Sequence, residues 1–460
     1  MTLTATPPRT ERVPPIERIE LLCDRGSVRL IRSQVGDGVL GAAGRVNGRP
    51  VFVYAQDASF AGGSLGTAHA ETILRVMQLA GRAGAPVVGF VESAGARMQE
   101  GLAALGGFGR IFSENVALSG RVPQISIVSG VSAGGGCYSP ALTDFVLMVE
   151  GTSMFLTGPG VVREAIGEEV DAAGLGGTRV HERNGVCDLV APDVRAAASH
   201  ARNLLSYLGP TVAPVAAPST DPGTLVPQAQ RKAYDVRGVI RSVADGGDFM
   251  EMAPRWARNM VTGFCRIEGR AVAVVANQPR HLGGVIDSDA SEKAARFVRT
   301  CSSFGLPLVV FVDTPGFMPG VAQESAGVIR HGASLLHAFA QASVPRLTVV
   351  LRKAYGGAYI TMNSKDLGAH FSFAWPEAEL GVMAARQAVG IIHRRELAAS
   401  SNHAADEAPS THDLLAARYA DEHLGAQVAA QNGFIDEVIA PADTRARLAW
   451  GLSTLEADRR

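Results

Sequence analysis

Laid on itself at an offset of 221 to 222 residues, this chain of 460 residues matches its own pattern four times in the same order. Ala85-Pro-Val-Val-Gly-Phe-Val-Glu-Ser-Ala-Gly95 lies over Leu306-Pro-Leu-Val-Val-Phe-Val-Asp-Thr-Pro-Gly316. Both are short apolar β-branched runs closed by an acid, a hydroxyl and a glycine. Val122-Pro-Gln-Ile-Ser-Ile-Val-Ser129 then lies over Val344-Pro-Arg-Leu-Thr-Val-Val-Leu351, Gly134-Gly135 over Gly356-Gly357, and Gly160-Val161 over Gly381-Val382. A repeat this long is a duplicated domain and not a solenoid unit.

Between the halves, residues 209–230 are rich in Pro, Thr, Ser and Ala and read as a linker. The expected domains are 17–208 and 231–460, after a disordered leader over 1–16 that carries charges and prolines where a secretory signal needs an apolar run. Helical spacing over Ala68–Arg82 and Ser291–Ser303, each just before a matched strand, makes the layout α/β. Residues 398–411 read as a surface insertion, and Asp443–Leu455 as a closing helix.

Composition removes several functions. The 43 basic and 44 acidic side chains leave no cationic excess for nucleic acid or an anionic membrane. No lysine follows a glycine, so there is no phosphate loop of the Walker type. Five cysteines without a C-x-x-C pair argue against a zinc ribbon or a disulfide framework and for a reducing cytoplasm. The histidines form no H-E-x-x-H pattern, so no metal is expected.

The chemistry points to glycines. Gly134, Gly135 and Gly136 stand between a strand ending near Ser129 and a helix expected to open at Ser139-Pro140. Glycine lets backbone approach a ligand, and the free amides at a helix start favour negative charge. Arg352-Lys-Ala-Tyr-Gly-Gly-Ala-Tyr359 repeats the arrangement. Two oxyanion turns with no evident nucleophile suggest enolate stabilisation; tight strand–helix packing is the structural alternative. Gly130-Val-Ser132-Ala-Gly134 also fits the G-x-S-x-G elbow of hydrolases, but Ala354 stands opposite Ser132 in the repeat and no triad partners announce themselves. Cys137, beside a turn, reads as a small buried hydrophobe with a reactive thiol as the alternative, and His69 with Glu71 as a helix start with a solvated carboxylate, with an acid/base pair as the alternative.

Taken together, Ala61-Gly-Gly-Ser-Leu-Gly66, Ser93-Ala-Gly-Ala-Arg-Met-Gln-Glu-Gly101, Ala133 to Asp144, Asp313-Thr-Pro-Gly-Phe317, Ile329-Arg-His-Gly-Ala333 and Arg352 to Tyr359 resemble the carboxyltransferase β subunit of biotin-dependent acyl-CoA carboxylases over nearly the full length. The resemblance implies two crotonase-like domains of ββα superhelical turns. It implies that acyl-CoA is bound mainly by the first domain, with Ser93, Ala94, Gly95, Ala96, Arg97 and Tyr138 as candidates and Ile360 of the second as a position of the acyl pocket. Biotin falls to the second, at Gly316, Phe317, Gly356 and Tyr359. The oxyanion pairs would be Gly134-Gly135 and Gly357-Ala358, facing one another across a dimer in a hexamer of dimers. Biotin, and not a side chain, would take the α-proton. Without a Met-Lys-Met motif, biotin must arrive on a separate α subunit. Ile360 matches a position that goes with acceptance of acetyl- as well as propionyl-CoA. The pattern departs from the family at Ala94, Gly160 and Ala322. The alternatives are a decarboxylase or lyase on the same scaffold, or a non-catalytic assembly subunit.

Overall fold

The computed structural model describes residues 12–230, 232–395, 397 and 410–456. Two compact units divide between Leu208 and Gly209. In the first, the strands are β1 Arg29–Ile31, β2 Val39–Val46, β3 Arg49–Gln56, β4 Val87–Ser93, β5 Gln124–Ala133, β6 Phe145–Val149, β7 Ser153–Phe155 and β8 Leu189–Ala191. In the second they are β9 Met250–Met252, β10 Met260–Ile267, β11 Arg270–Asn277, β12 Leu308–Thr314, β13 Arg346–Tyr355, β14 Phe371–Ala374, β15 Glu379–Gly381 and β16 Glu437–Val438.

The two sheets have one topology. The first runs β1-β2-β3-β4-β5-β6-β8 with β7 on β5, and the second runs β9-β10-β11-β12-β13-β14-β16 with β15 on β13. Each begins with an antiparallel hairpin and continues parallel. The hairpins close through Asn47-Gly48 and Glu268-Gly269, whose φ values of 50° and 75°, and 51° and 77°, give the twist that suits a two-residue turn. Strands β4 and β12 are buried at every position, which their unbroken apolar runs require.

Helices complete each ββα turn. Thr67–Ala83 and Leu102–Leu118 flank β4 in the chain, and Ser288–Ser303 and Val328–Gln341 flank β12. Separate apolar cores follow, around Ile73, Met77, Phe108 and Ile111 in the first unit and around Val274, Phe311, Val349 and Phe373 in the second. The closing helix is Thr444–Glu456.

Three expectations change. Residues 1–11 of the leader lie outside the described residues, but Pro15 and Ile16 already belong to a helix, Pro15–Leu22, anchored by the buried Ile19 and Leu22. The segment 209–230 is no free tether, because its backbone is taken up by the second unit: the Val212 N–H donates to the Gly269 carbonyl at 3.1 Å and the Gly246 N–H to the Ala216 carbonyl at 3.0 Å. Most of the insertion, 398–409, is outside the described residues; Ser410 caps the helix Thr411–His423.

Candidate active site

In each unit the two central parallel strands end in adjacent loops. The ladder slips between Val91 and Ser93 on β4 against β5, and between Val312 and Thr314 on β12 against β13. Beyond the slip each loop folds on its own hydroxyl. Ser93 Oγ accepts the Gly95 N–H at 3.2 Å, and Thr314 Oγ1 accepts the Gly316 N–H at 3.3 Å. Gly95 and Gly316 have φ of 98° and 137°, which only glycine adopts without strain. The loops are then pinned to the preceding segment by paired bonds: Leu65 N–H to Gly95 O and Arg97 N–H to Leu65 O, matched by Ile286 N–H to Gly316 O and Met318 N–H to Ile286 O.

The glycine turns follow. Gly134, with φ 57°, leads from β5 into the helix Gly135–Ala141, and Gly356, with φ 59°, leads from β13 into the helix Gly356–Thr361. The first amides of a helix have no acceptor within it. The Gly134 N–H, however, donates to the Phe155 carbonyl at 3.1 Å, so it is not one of the free ones. Gly135 and Gly136 are the residues in register with Gly357 and Ala358, and the sequence pair Gly134-Gly135 stands one residue early. Alanine at Gly135 would bring its Cβ to 2.7 Å from the Phe108 ring, whereas at Gly357 the nearest atom is a Phe317 ring carbon at 3.8 Å.

Side chains at the first turn are bound to backbone. Ser132 is fully buried and its hydroxyl donates to the Gly136 carbonyl at 2.7 Å, which removes the hydrolase nucleophile. The Cys137 thiol donates to the Gly134 carbonyl, and burial pushes its pKa up. Ser93 is fully buried and Ala94 exposed, while Ala96 bridges to Leu65. Arg97 is occupied by Asp37 at 2.6 Å, Glu100 at 3.0 Å and the Ser64 carbonyl at 2.8 Å. Its guanidinium therefore braces the loop. Tyr138 is half exposed, edge-on to Phe112, and Ile360 takes the same place on the second helix, also exposed. Phe317 lies under Gly332 and Gly357, and the Tyr359 hydroxyl donates to the Phe434 carbonyl at 3.3 Å, its pKa pushed up to about 12 by burial.

His69 does not pair with Glu71. It is fully buried beside Gln56, 3.2 Å between their Nε2 atoms, and burial lowers its pKa to about 4. Beside Thr157-Gly158-Pro159, an open cavity of about 570 Å³ is lined by Pro159, Gly160, Arg163, Glu169, Val170 and Asp171. Among the described residues there is no cluster of three metal-ligating side chains, and no helix is long and apolar enough to cross a membrane.

The model of the carboxyl transferase domain matches residues 15–460. The chain belongs to the carboxyl transferase family. The carboxyltransferase is 48% identical over 437 residues to the propionyl-CoA carboxylase carboxyltransferase subunit of Haloferax mediterranei, covering 92% of this chain and 84% of that one. It is 45% identical to the biotin-dependent acetyl-/propionyl-coenzyme A carboxylase beta5 subunit of Mycobacterium tuberculosis, covering 92% and 80%. The crystal structure of transcarboxylase 12S, a hexamer with methylmalonyl-coenzyme A and methylmalonic acid bound, matches with a TM-score of 0.91 at 42% identity, over 96% of this chain and 89% of that one. The crotonase-like fold and carboxyl transfer as the enzyme's chemistry follow from that membership.

Sequence reading overlooked a further repeated element in the carboxyltransferase. Ala61-Gly62-Gly63 and Leu282-Gly283-Gly284 each place three successive residues at positive φ, 48°, 66° and 72° and 50°, 64° and 79°. Any Cβ at Gly63 would lie 2.2 Å from the Glu92 carbonyl, and one at Gly284 2.5 Å from that of Asp313. The Gly-Gly pairs at the same 221-residue offset were the available signal.

Proposed function

We propose that the chain is the carboxyltransferase subunit of a biotin-dependent acyl-CoA carboxylase, moving a carboxyl group from carboxybiotin to the α-carbon of acetyl- or propionyl-CoA. The observation that carries this is the pair of equivalent amide turns, Gly135-Gly136 and Gly357-Ala358, each opening a helix after a positive-φ glycine. Such amides are preorganised for an oxygen that gains negative charge, worth about 3–4 kcal/mol per donor.

The first turn would hold the thioester oxygen as the acyl group becomes an enolate. The second fits a flat urea: the Phe317 ring lies beside Gly357, with a Cβ there 3.8 Å from it, and a Cβ at Gly316 or Gly320 would meet nothing within 4 Å. Carboxybiotin supplies the carboxyl group and, after losing it, a nitrogen that accepts the α-proton. The chain's own part is then to bind, orient and polarise, which fits a first turn where Ser132 and Cys137 are both tied to carbonyls. The two turns would meet across a dimer of copies within a hexamer, in the cytoplasm, with biotin arriving on a separate α subunit. Exposed apolar side chains near the turns support such contacts, among them Met98, Leu102 and Val131 in the first unit and Val321, Ile329 and Val382 in the second.

The test combines the purified chain with a biotinylated α subunit, ATP, bicarbonate and a panel of acyl-CoAs. Malonyl- or methylmalonyl-CoA formed only when biotin is present is the expected product. Hydrolysis of the thioester without biotin, or no product with any short acyl-CoA, overturns the reading.

A further inference from the structure

Beneath each turn lies a buried acid at the same place in the repeat. Glu92 on β4 and Asp313 on β12 stand next to last in their strands, 6% and 0% exposed. A buried carboxylate needs a partner. The two partners come from opposite directions. Glu92 faces Arg18 of the helix Pro15–Leu22 at 3.6 Å, with the half-exposed Arg12 at 2.9 Å. Asp313 faces Arg352 of β13 at 3.0 Å, with Lys353 at 3.8 Å.

The repeat shows that the charge has changed places. The helix Val236–Val243 is the second-unit counterpart of Pro15–Leu22, and the residue there that matches Arg18 is Val239, fully buried in the apolar core. The β5 residue that matches Arg352 is Gly130. A Cβ on Gly130 would lie 2.3 Å from Glu92 Cγ. Glycine there makes room for the longer acid to turn toward the helix, and the shorter aspartate of the second unit leaves room for an arginine on the strand.

Each arginine also ties down the segments that lead into its turn. Arg18 donates to Ser129 Oγ at 2.7 Å and to the Gln56 carbonyl at 2.5 Å, joining the middle of β5 and the end of β3 to β4. Arg352 donates to the carbonyls of Pro227, Ala229 and Lys232 at 3.3, 3.1 and 2.9 Å and lies over the Tyr234 ring at 5.1 Å. We infer that Arg18 and Arg352 are the positioning residues of the two turns, Arg18 holding the first in register through Glu92 and Ser129 and Arg352 the second through Asp313 and the carbonyls of Pro227, Ala229 and Lys232.

This rests on the first turn binding the acyl thioester and the second the biotin urea, and it predicts that the two arginines fail separately. The assay is carboxyl transfer from methylmalonyl-CoA to free biotin, titrating each substrate in turn. Arg18→Val is expected to lower kcat/KM for the CoA ester about 100-fold, the cost of a turn displaced by about 1 Å, with KM for biotin unchanged. Arg352→Val is expected to do the reverse. The triple variant Arg18→Val, Gly130→Arg, Glu92→Asp, which rebuilds the second unit's arrangement in the first, is expected to recover at least about tenfold of what Arg18→Val loses. Should Arg18→Val unfold the first unit by hydrogen exchange, Glu92→Gln, which keeps the shape and removes the charge, carries the same expectation. Equal losses on both substrates from either arginine, or unchanged kinetics in a folded variant, overturn the inference. A wild-type chain that transfers nothing overturns the functional reading instead.

Discussion

Gly134 and Gly356 are the same residue written twice: φ of 57° and 59°, one at the end of β5 and the other at the end of β13, each leading into a helix whose first amides are free of acceptors within it. What differs is how tightly each turn is walled. The Phe108 ring closes on Gly135, while Gly357 is open except for Phe317.

That difference makes Gly357 the place to delete a single donor. Gly357→Pro removes one N–H in the first turn of a helix, where proline is tolerated. Carboxyl transfer is expected to fall about 10²–10³-fold with little change in thermal stability. Gly357→Ala, which keeps the N–H and adds only an ordinary contact, is expected to stay near wild type. Steady-state kinetics and melting curves on the two variants decide it.

Acyl selectivity should respond at Ile360, exposed on the second helix. Ile360→Asp is expected to lower use of acetyl-CoA relative to propionyl-CoA by about 10-fold, within the range that a change in one pocket contact produces. Competition between the two substrates in one reaction measures the ratio directly.

The buried His69 predicts a pH response in the first unit. Its pKa falls from 6.5 to about 4 because burial disfavours the charged ring. The folded form therefore binds fewer protons than the unfolded one between these values, so stability is intact above 6.5 and declines as pH drops toward 4. The loss approaches about 3 kcal/mol. His69→Gln should flatten that slope in urea denaturation followed by hydrogen exchange of the first unit. Tryptophan emission cannot report it, since Trp256, Trp375 and Trp450 all belong to the second.

Breaking the ion pair of the second unit should cost more than removing it. Arg352→Met leaves the fully buried Asp313 without its nearest cation and is expected to destabilise by about 3–5 kcal/mol. Asp313→Leu together with Arg352→Met should cost less than the sum of the single changes. Denaturant titration of the four proteins in the cycle gives the coupling.

Cys137 is expected to be inert. Its thiol is buried, bonded to the Gly134 carbonyl and held protonated by desolvation. Iodoacetamide at pH 8 should leave it unmodified in the native protein, and Cys137→Ala should retain activity.

The duplication was legible because β4, β5, β12 and β13 each carry a short β-branched apolar stretch followed within a few residues by glycine, and such patterns persist when individual residues change. The Ala68–Arg82 periodicity likewise found the helix Thr67–Ala83 to within one residue at each end. The pairing of the first turn's amides was not legible, since nothing in Ala-Gly-Gly-Gly says which one a neighbouring strand will take; in the structure Phe155, on β7, takes that of Gly134. The partnership of Glu92 with Arg18 was hidden for a related reason. Charge pairing across a fold depends on which side chain points inward from a distant helix, and a repeat search looks for likeness where these units differ. Nor does the sequence show that Asp37 and Glu100 both reach Arg97, one of the candidate CoA contacts.

The grip of Arg352 on the carbonyls of Pro227, Ala229 and Lys232 bears on where this polypeptide can be divided. Cutting the chain after the proline-rich stretch would remove the Pro227 and Ala229 carbonyls and leave the buried guanidinium with fewer acceptors beside Asp313. A cut between Leu208 and Gly209 spares that wrapping. A second unit produced for separate study should therefore begin at Gly209, carrying the prolines of that stretch with it.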